Sequence, residues 1–312
     1  MSEYPFQLVN YNRGKPLDDK SILFKRPFTQ YAASFAEDAK YFVPGEELET
    51  AINTSIAVGE PLLITGEPGT GKTQAAYYTA YNLGIEPVIH FQVKSDSTAR
   101  DLLYHFDAVR YFHDANLSKE GKAPDKSAYV EKRALWEAID AEIPRILLID
   151  EIDKAPRDFP NDLLHELDKM EFTVTETQKP ISAGKEKRPM VFITSNSERR
   201  LPEPFLRRCV YHHIEFDDDL LEKAVEKRKA EYGNLSKDFI KMAMQRFLAL
   251  RDKTLRKTPA TGEFLVWLRV LALTLRTRPN RLDHDLSRLP YLGVLLKDHQ
   301  DISDLKHTHS PI

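Results

Sequence analysis

Only one cysteine, Cys209, stands in 312 residues. No disulfide can close within the chain, and no cysteine–histidine cluster has the spacing of a metal site. Cys209 therefore reads as an ordinary small core residue. Long apolar runs are missing as well: no stretch of about 18 residues is apolar enough to cross a bilayer. The opening Met1-Ser2-Glu3-Tyr4 lacks the basic-then-apolar pattern of an export signal. There is no excess of one charge, because 45 Lys and Arg face 48 Asp and Glu, a formal net charge of −3. That balance gives no general attraction to nucleic acid or to an anionic membrane. Solenoid repeats and long low-complexity tracts are absent too. The expectation is a soluble, cytoplasmic protein, long enough for an α/β core and a smaller second domain.

What is present is concentrated in a few segments. Residues 66 to 73 read Gly66-Glu67-Pro68-Gly69-Thr70-Gly71-Lys72-Thr73, directly after the apolar run Pro61-Leu62-Leu63-Ile64-Thr65. A glycine-rich turn between a buried strand and a helix is a phosphate-binding loop: the glycines let the backbone wrap a phosphate chain and aim N–H groups at it. The following helix, expected over about 72–83 with Gly84 as its stop, adds the positive end of its dipole. Lys72 would reach the β- and γ-phosphates, and the Thr73 hydroxyl would hold Mg²⁺.

A second apolar run, Arg145-Ile146-Leu147-Leu148-Ile149, ends on Asp150-Glu151. Continuous apolar character is the mark of a parallel strand covered on both faces. Asp150 is suited to the waters around Mg²⁺, and Glu151 to activating a water as general base. Segments 88–93, 190–196 and 210–216 read as further strands, the last alternating more and less completely buried. A helix is expected over about 158–170, with Pro160 in its first turn and Leu163, Leu164 and Leu167 on one face. Such alternation gives an α/β fold, a parallel sheet with helices on both faces. The glycine loop, the Asp150-Glu151 pair and Asn196 then all fall at the carboxyl ends of strands, where such sheets bind ligands. Asn196 carries both a donor and an acceptor with which to orient an attacking water. Arg207-Arg208 lie just before the last strand, where a guanidinium can stabilise a transferring phosphoryl group, an effect of about 10³–10⁵ in rate.

These residues, in this order, resemble the AAA+ ATPases, and within them the MoxR-like group, over roughly residues 40–275. Gly66–Thr73 is similar to Walker A, and Ile146–Glu151 to Walker B, continuing as Ile152-Asp153-Lys154-Ala155. Ile193-Thr194-Ser195-Asn196 is similar to the sensor 1 strand. Leu201-Pro202-Glu203-Pro204-Phe205-Leu206-Arg207-Arg208-Cys209 resembles the arginine-finger segment, with Arg208 favoured as the finger and Arg207 the alternative. The stretch matching sensor 2, Lys257 to Glu263, has no arginine, although Lys257 or Arg269 stands near. Lysine lacks the guanidinium fork, so sensor 2 is left unassigned.

The resemblance implies a P-loop fold with a small helical lid. It also implies ATP and Mg²⁺ as ligands, a homo-oligomer in the form of a hexameric ring, and a protein substrate. Partners in this group often carry a von Willebrand factor A domain. A nucleic-acid motor or loader and a nucleotide-gated structural clamp are the competing classes. No basic stripe interleaved with aromatics supports the first, and the full set of Glu151, Asn196 and Arg208 argues against the second. The Asn-Lys-x-Asp motif of guanine recognition is missing, so ATP is the default nucleotide. The expected organisation is an N-terminal extension over 1–40, an α/β domain over 41–216, and a helical lid with a tail over 217–312. Helices are expected at about 218–232, 236–251 and 262–276. In the large region between Ser95 and Ile143, Tyr129 to Ile139 reads as helical. Phe172 to Thr177 alternates like one strand of a hairpin.

Overall fold

The computed structural model of the protein describes residues 8–9, 21, 33–117, 123–233, 235–274 and 282–307. Most of the expected N-terminal extension, part of the polar stretch 118–126, the end of the helix expected to reach 276 and the last residues of the tail lie outside them. Two compact units are present. One is Asp38–Pro68 with Lys72–Glu215; the other is built on Phe216–Ile312, to which Gly69–Gly71 are also assigned.

In the first unit the described residues form nine strands. These are β1 Leu62–Gly66, β2 Ile89–Gln92, β3 Tyr104–Phe106, β4 Val130–Lys132, β5 Ile146–Asp150, β6 Glu171–Val174, β7 Lys179–Ser182, β8 Met190–Ser195 and β9 Val210–Ile214. Five of them make one sheet in the order β2-β5-β8-β1-β9, with every neighbouring pair parallel. Successive side chains of a strand point to opposite faces, and here both faces are covered. Leu62, Ile64, Ile146, Leu148 and Phe192 pack on one side with Leu48, Ile52, Ala75 and Ala80 of the helices Glu46–Val58 and Lys72–Leu83. Leu63, Leu147, Ile149, Val191 and Ile193 pack on the other with Leu135, Ile139, Leu163 and Phe205. That double burial is why β1, β5 and β8 read as unbroken apolar runs. The outer strands β2 and β9 are only part-buried, and β9 alternates accordingly.

The five strands fall where the sequence places them, with ends shifted by one or two residues. The helix over 72–83 ends as expected, Gly84 turning left-handed at φ +66°. Two expectations need correction. The single helix over 158–170 is two short ones, Phe159–Asp162 and Leu164–Lys169, although Leu163 and Leu167 are buried as foreseen. Tyr129 to Ile139 is not one helix either. Tyr129 ends a 3-10 turn, Val130–Lys132 pairs antiparallel with Tyr104–Phe106, and the helix starts only at Ala134. Three residues are too few to show a strand period, and the cross-strand partner decides their conformation. The hairpin is present as β6 and β7, pairing Glu171 with Ser182 through Val174 with Lys179. Phe172 of the hairpin stacks on Tyr104 with ring centroids 6.1 Å apart and meets Trp136 edge-on at 5.6 Å. Through Phe172 the hairpin thus makes two aromatic contacts with the 95–143 region. Cys209 is part-buried, and burial pushes its thiol up to about 12, so it stays protonated and packs as a core residue.

The second unit is helical. Asp218–Lys227 is capped by the Asp217 carboxylate and Lys237–Arg251 by the Ser236 hydroxyl, each satisfying otherwise orphaned N–H groups. With Thr261–Thr274 they enclose Phe239, Phe247, Phe264, Trp267, Leu268 and Leu271, all essentially without exposure. Phe247 and Phe264 meet at 4.7 Å, and the Trp267 indole donates to the Pro290 carbonyl at 2.7 Å. Among the described residues no helix is long and apolar enough to cross a membrane.

Candidate active site

The site grows out of the ends of four parallel strands. β1 runs straight into the glycine loop, where Gly69 and Gly71 adopt φ +81° and +98°, angles that a side chain would strain. The chain returns to right-handed helix at Lys72, whose side chain is buried and folds back along the loop. Its Nζ donates to the carbonyls of Gly66 and Glu67, both at 2.8 Å. Burial lowers the Lys72 pKa, while the carboxylates of Asp150, Asp153, Glu151 and Glu67 pull the other way. A desolvated cation held by the neutral carbonyls of Gly66 and Glu67 is the arrangement that a polyphosphate completes.

Thr73, one residue on, donates its hydroxyl to Asp150 at 3.0 Å. Asp150 closes β5 with 6% exposure, and its other partners come from the neighbouring strands. The Thr194 hydroxyl of β8 donates at 2.5 Å, and His90 Nε2 of β2 lies 3.3 Å away with its Nδ1 3.1 Å from the Tyr77 hydroxyl. Burial alone would raise the Asp150 pKa, but the hydrogen bonds from His90, Thr194 and Thr73 outweigh it and hold the carboxyl below its ordinary 3.8. A hydroxyl beside an ionised carboxylate is the hard-oxygen pair Mg²⁺ takes when phosphates supply further ligands. Among the described residues no group of three or more His, Cys, Asp or Glu could hold a metal ion.

The lowered pKa has a measurable consequence. Around the ordinary carboxylate pKa the unfolded chain binds more protons than the folded one, so ionised Asp150 contributes stability at higher pH. That contribution is complete above pH 3.8 and is lost as pH falls through the lower folded value. In urea unfolding followed at a series of pH values, the stability of wild type minus that of Asp150→Asn should shrink on acidification. A constant difference would contradict it.

Glu151 sits just beyond β5 in a left-handed conformation, φ 59° and ψ 52°. Its main-chain N–H donates to Thr194 Oγ1 at 2.8 Å. Its carboxylate receives Gln92 Nε2 at 2.6 Å and Asn196 Nδ2 at 3.3 Å, and pairs with Lys154. Gln92, His90, Thr194 and Lys154 are the residues that sequence reasoning missed. The signal available was strand register. Gln92 stands opposite Asp150 in the β2–β5 ladder, so a polar residue ending β2 must emerge beside the carboxylates.

The predicted residues therefore separate into two groups. Lys72, Thr73, Asp150, Glu151 and Asn196 come together, around a loop formed by Gly66, Glu67, Pro68, Gly69, Thr70 and Gly71. Arg207 and Arg208 do not join them. Arg207 pairs with Glu203 at 3.2 Å, whereas Arg208 pairs with Asp168 at 2.9 Å and donates to the Pro204 carbonyl at 2.9 Å. Among the described residues no hydrogen bond or ion pair links either arginine to the carboxylate cluster. Of the two basic residues near the sensor 2 stretch, Arg269 pairs with Glu231 at 2.7 Å, whereas for Lys257 it is the main-chain N–H that donates to Asp301, at 3.1 Å.

Residues 61–209 match the AAA domain of the dynein-related subfamily. No curated protein is significantly similar in sequence. Among solved structures, one of a candidate ATPase from Cytophaga hutchinsonii is 15% identical, covering 89% of this chain and 94% of that one, with a TM-score of 0.40. The sheet order β2-β5-β8-β1-β9, the glycine loop after β1 and the domain match together give this chain the AAA+ P-loop NTPase fold.

Proposed function

We propose that the protein is an ATP-hydrolysing AAA+ enzyme of MoxR-like type that remodels a protein partner. The observation that carries the hydrolytic reading is the setting of Glu151. Its carboxylate is held between Gln92 and Asn196, beside the Thr73–Asp150 pair, at the ends of parallel strands. A structural glutamate has no need of a left-handed backbone and two amide donors at the mouth of a phosphate loop.

When bound, Mg-ATP brings the γ-phosphoryl group together with a metal that partly neutralises its charge. Lys72 leaves the Gly66 and Glu67 carbonyls for the phosphate oxygens, and the loop N–H groups share that charge. Thr73 and Asp150 would hold the metal and its waters. Asn196 positions the attacking water, and Glu151 takes its proton at a carboxylate oxygen. Arg208 acts on the site of a neighbouring subunit in a ring, a hexamer by family likeness. A partner with a von Willebrand factor A domain is the family's frequent companion and is proposed here on resemblance alone.

Binding is tested at Lys72. Lys72→Ala removes the one cation inside the loop and should abolish ATP binding in calorimetric titration, with the fold unchanged by circular dichroism. Affinity within a few-fold of wild type would mean that the loop holds no phosphate.

A further inference from the structure

The turn after β5 contains a buried carboxylate that the proposed chemistry leaves unused. Asp153 is 3% exposed and lies in the one-turn 3-10 helix Ile152–Lys154, immediately after Glu151. Its two oxygens divide between two main-chain donors of another segment. Oδ1 accepts the N–H of Asn196 at 3.3 Å, and Oδ2 accepts that of Glu198 at 2.9 Å. Between these donors Ser197 turns left-handed at φ 61°, with its N–H donating to Ser195 Oγ at 3.0 Å. The chain after β8 therefore does not run on as strand; it curls around the Asp153 carboxylate.

Two left-handed residues, Glu151 and Ser197, thus flank one anchor. Non-glycine residues hold that conformation only where their surroundings fix them. A carboxylate accepting two N–H groups is a strong fixing point, since charge-assisted hydrogen bonds are shorter and about twice as strong as neutral ones. Asn196 Nδ2 reaches Glu151 Oε1 at 3.3 Å from the curl that Asp153 ties down.

We propose that Asp153 is a positioning residue, a tether that sets the separation of the Asn196 amide from the Glu151 carboxylate and so the place of the attacking water. The Asp153 oxygens engage the main-chain N–H groups of Asn196 and Glu198. The tether rests on the hydrolytic reading of Glu151 and Asn196 given above, and it adds a residue whose contribution to turnover runs through Asn196.

The test compares Asp153→Ala, which removes both acceptors, with Asp153→Asn, which keeps one acceptor oxygen. A misplacement of about 1 Å can cost up to about 100-fold in rate. Asp153→Ala should therefore lower kcat by about 10- to 100-fold while ATP affinity, measured by titration, stays within about twofold. Asp153→Asn should recover part of kcat. If Asp153 works through Asn196, Asp153→Ala combined with Asn196→Ala should turn over no more slowly than Asn196→Ala alone. The tether is overturned if kcat is unchanged, if affinity falls in step with kcat, or if the two losses multiply. Where Asp153→Ala fails to fold, Asp153→Asn is put through the same three measurements. Glu151→Gln is the control: near-normal turnover there defeats the hydrolytic reading itself. A collapsed Glu151→Gln beside an unaffected Asp153 variant defeats the tether alone.

Discussion

Arg208→Ala should bind ATP almost as wild type does and hydrolyse it about 10³–10⁵ times more slowly, the range measured for fingers in phosphoryl transfer. The guanidinium belongs to the loop before β9, and its partners there are Asp168 and the Pro204 carbonyl. It remains 45% exposed, so it can leave a surface ion pair worth about 0–1 kcal/mol for a phosphate on another subunit. Mixing supplies the decisive measurement. Arg208→Ala subunits keep an intact phosphate loop, and Lys72→Ala subunits keep an intact Arg208. If the finger reaches across an interface, the two inactive proteins together regain part of the activity. Were it to act within its own chain, no mixing ratio would restore turnover. Arg207, 76% exposed and paired with Glu203, should give the smaller loss when replaced. Activity per subunit that stays constant on dilution would count against a ring.

Glu151→Gln should retain ATP binding and lose about 10²–10⁴-fold in turnover, the usual contribution of a general base. The amide fits where the carboxylate stood, but it cannot accept a proton from water. The amide also has one acceptor oxygen where the carboxylate had two, so only one of the donors Gln92 Nε2 and Asn196 Nδ2, now at 2.6 and 3.3 Å, keeps its acceptor without a further turn. Single-turnover kinetics with separate titration of ATP resolves binding from chemistry. Near-normal turnover would place the base elsewhere. The variant also has a practical use: proteins that co-purify with ATP-loaded Glu151→Gln are candidates for the partner proposed above.

The core of the fold was legible because a covered parallel strand must be apolar on both faces, and Leu62–Ile64, Ile146–Ile149 and Val191–Ile193 are. The glycine loop was legible because few other loops need that spacing of glycines before a lysine. What stayed hidden depends on neighbours far apart in sequence. Val130–Lys132 is a strand only because Tyr104–Phe106 lies beside it. Gln92 and Thr194 look like ordinary strand-end residues until the sheet order puts β2 and β8 on either side of β5. The two-helix form of 159–169 was hidden for a different reason: its leucines bury as a continuous helix would bury them, so the apolar pattern carries no trace of the break at Leu163. For Arg207 and Arg208, sequence order says which loop they occupy but not which way they face.

The left-handed backbone of Glu151 carries a consequence for the chain's history. At φ 59° a glycine or asparagine is at ease, whereas glutamate holds the conformation at a cost of about 1 kcal/mol or more. On the hydrolytic reading proposed above, the need for a general base is what would keep the acid there against that gradient. In a lineage that no longer needs turnover, this position should drift early, toward the residues its backbone prefers and with a gain in stability. The residue aligned with Glu151 would therefore distinguish relatives that still hydrolyse ATP from those that only bind it, even where the glycine loop is intact in both.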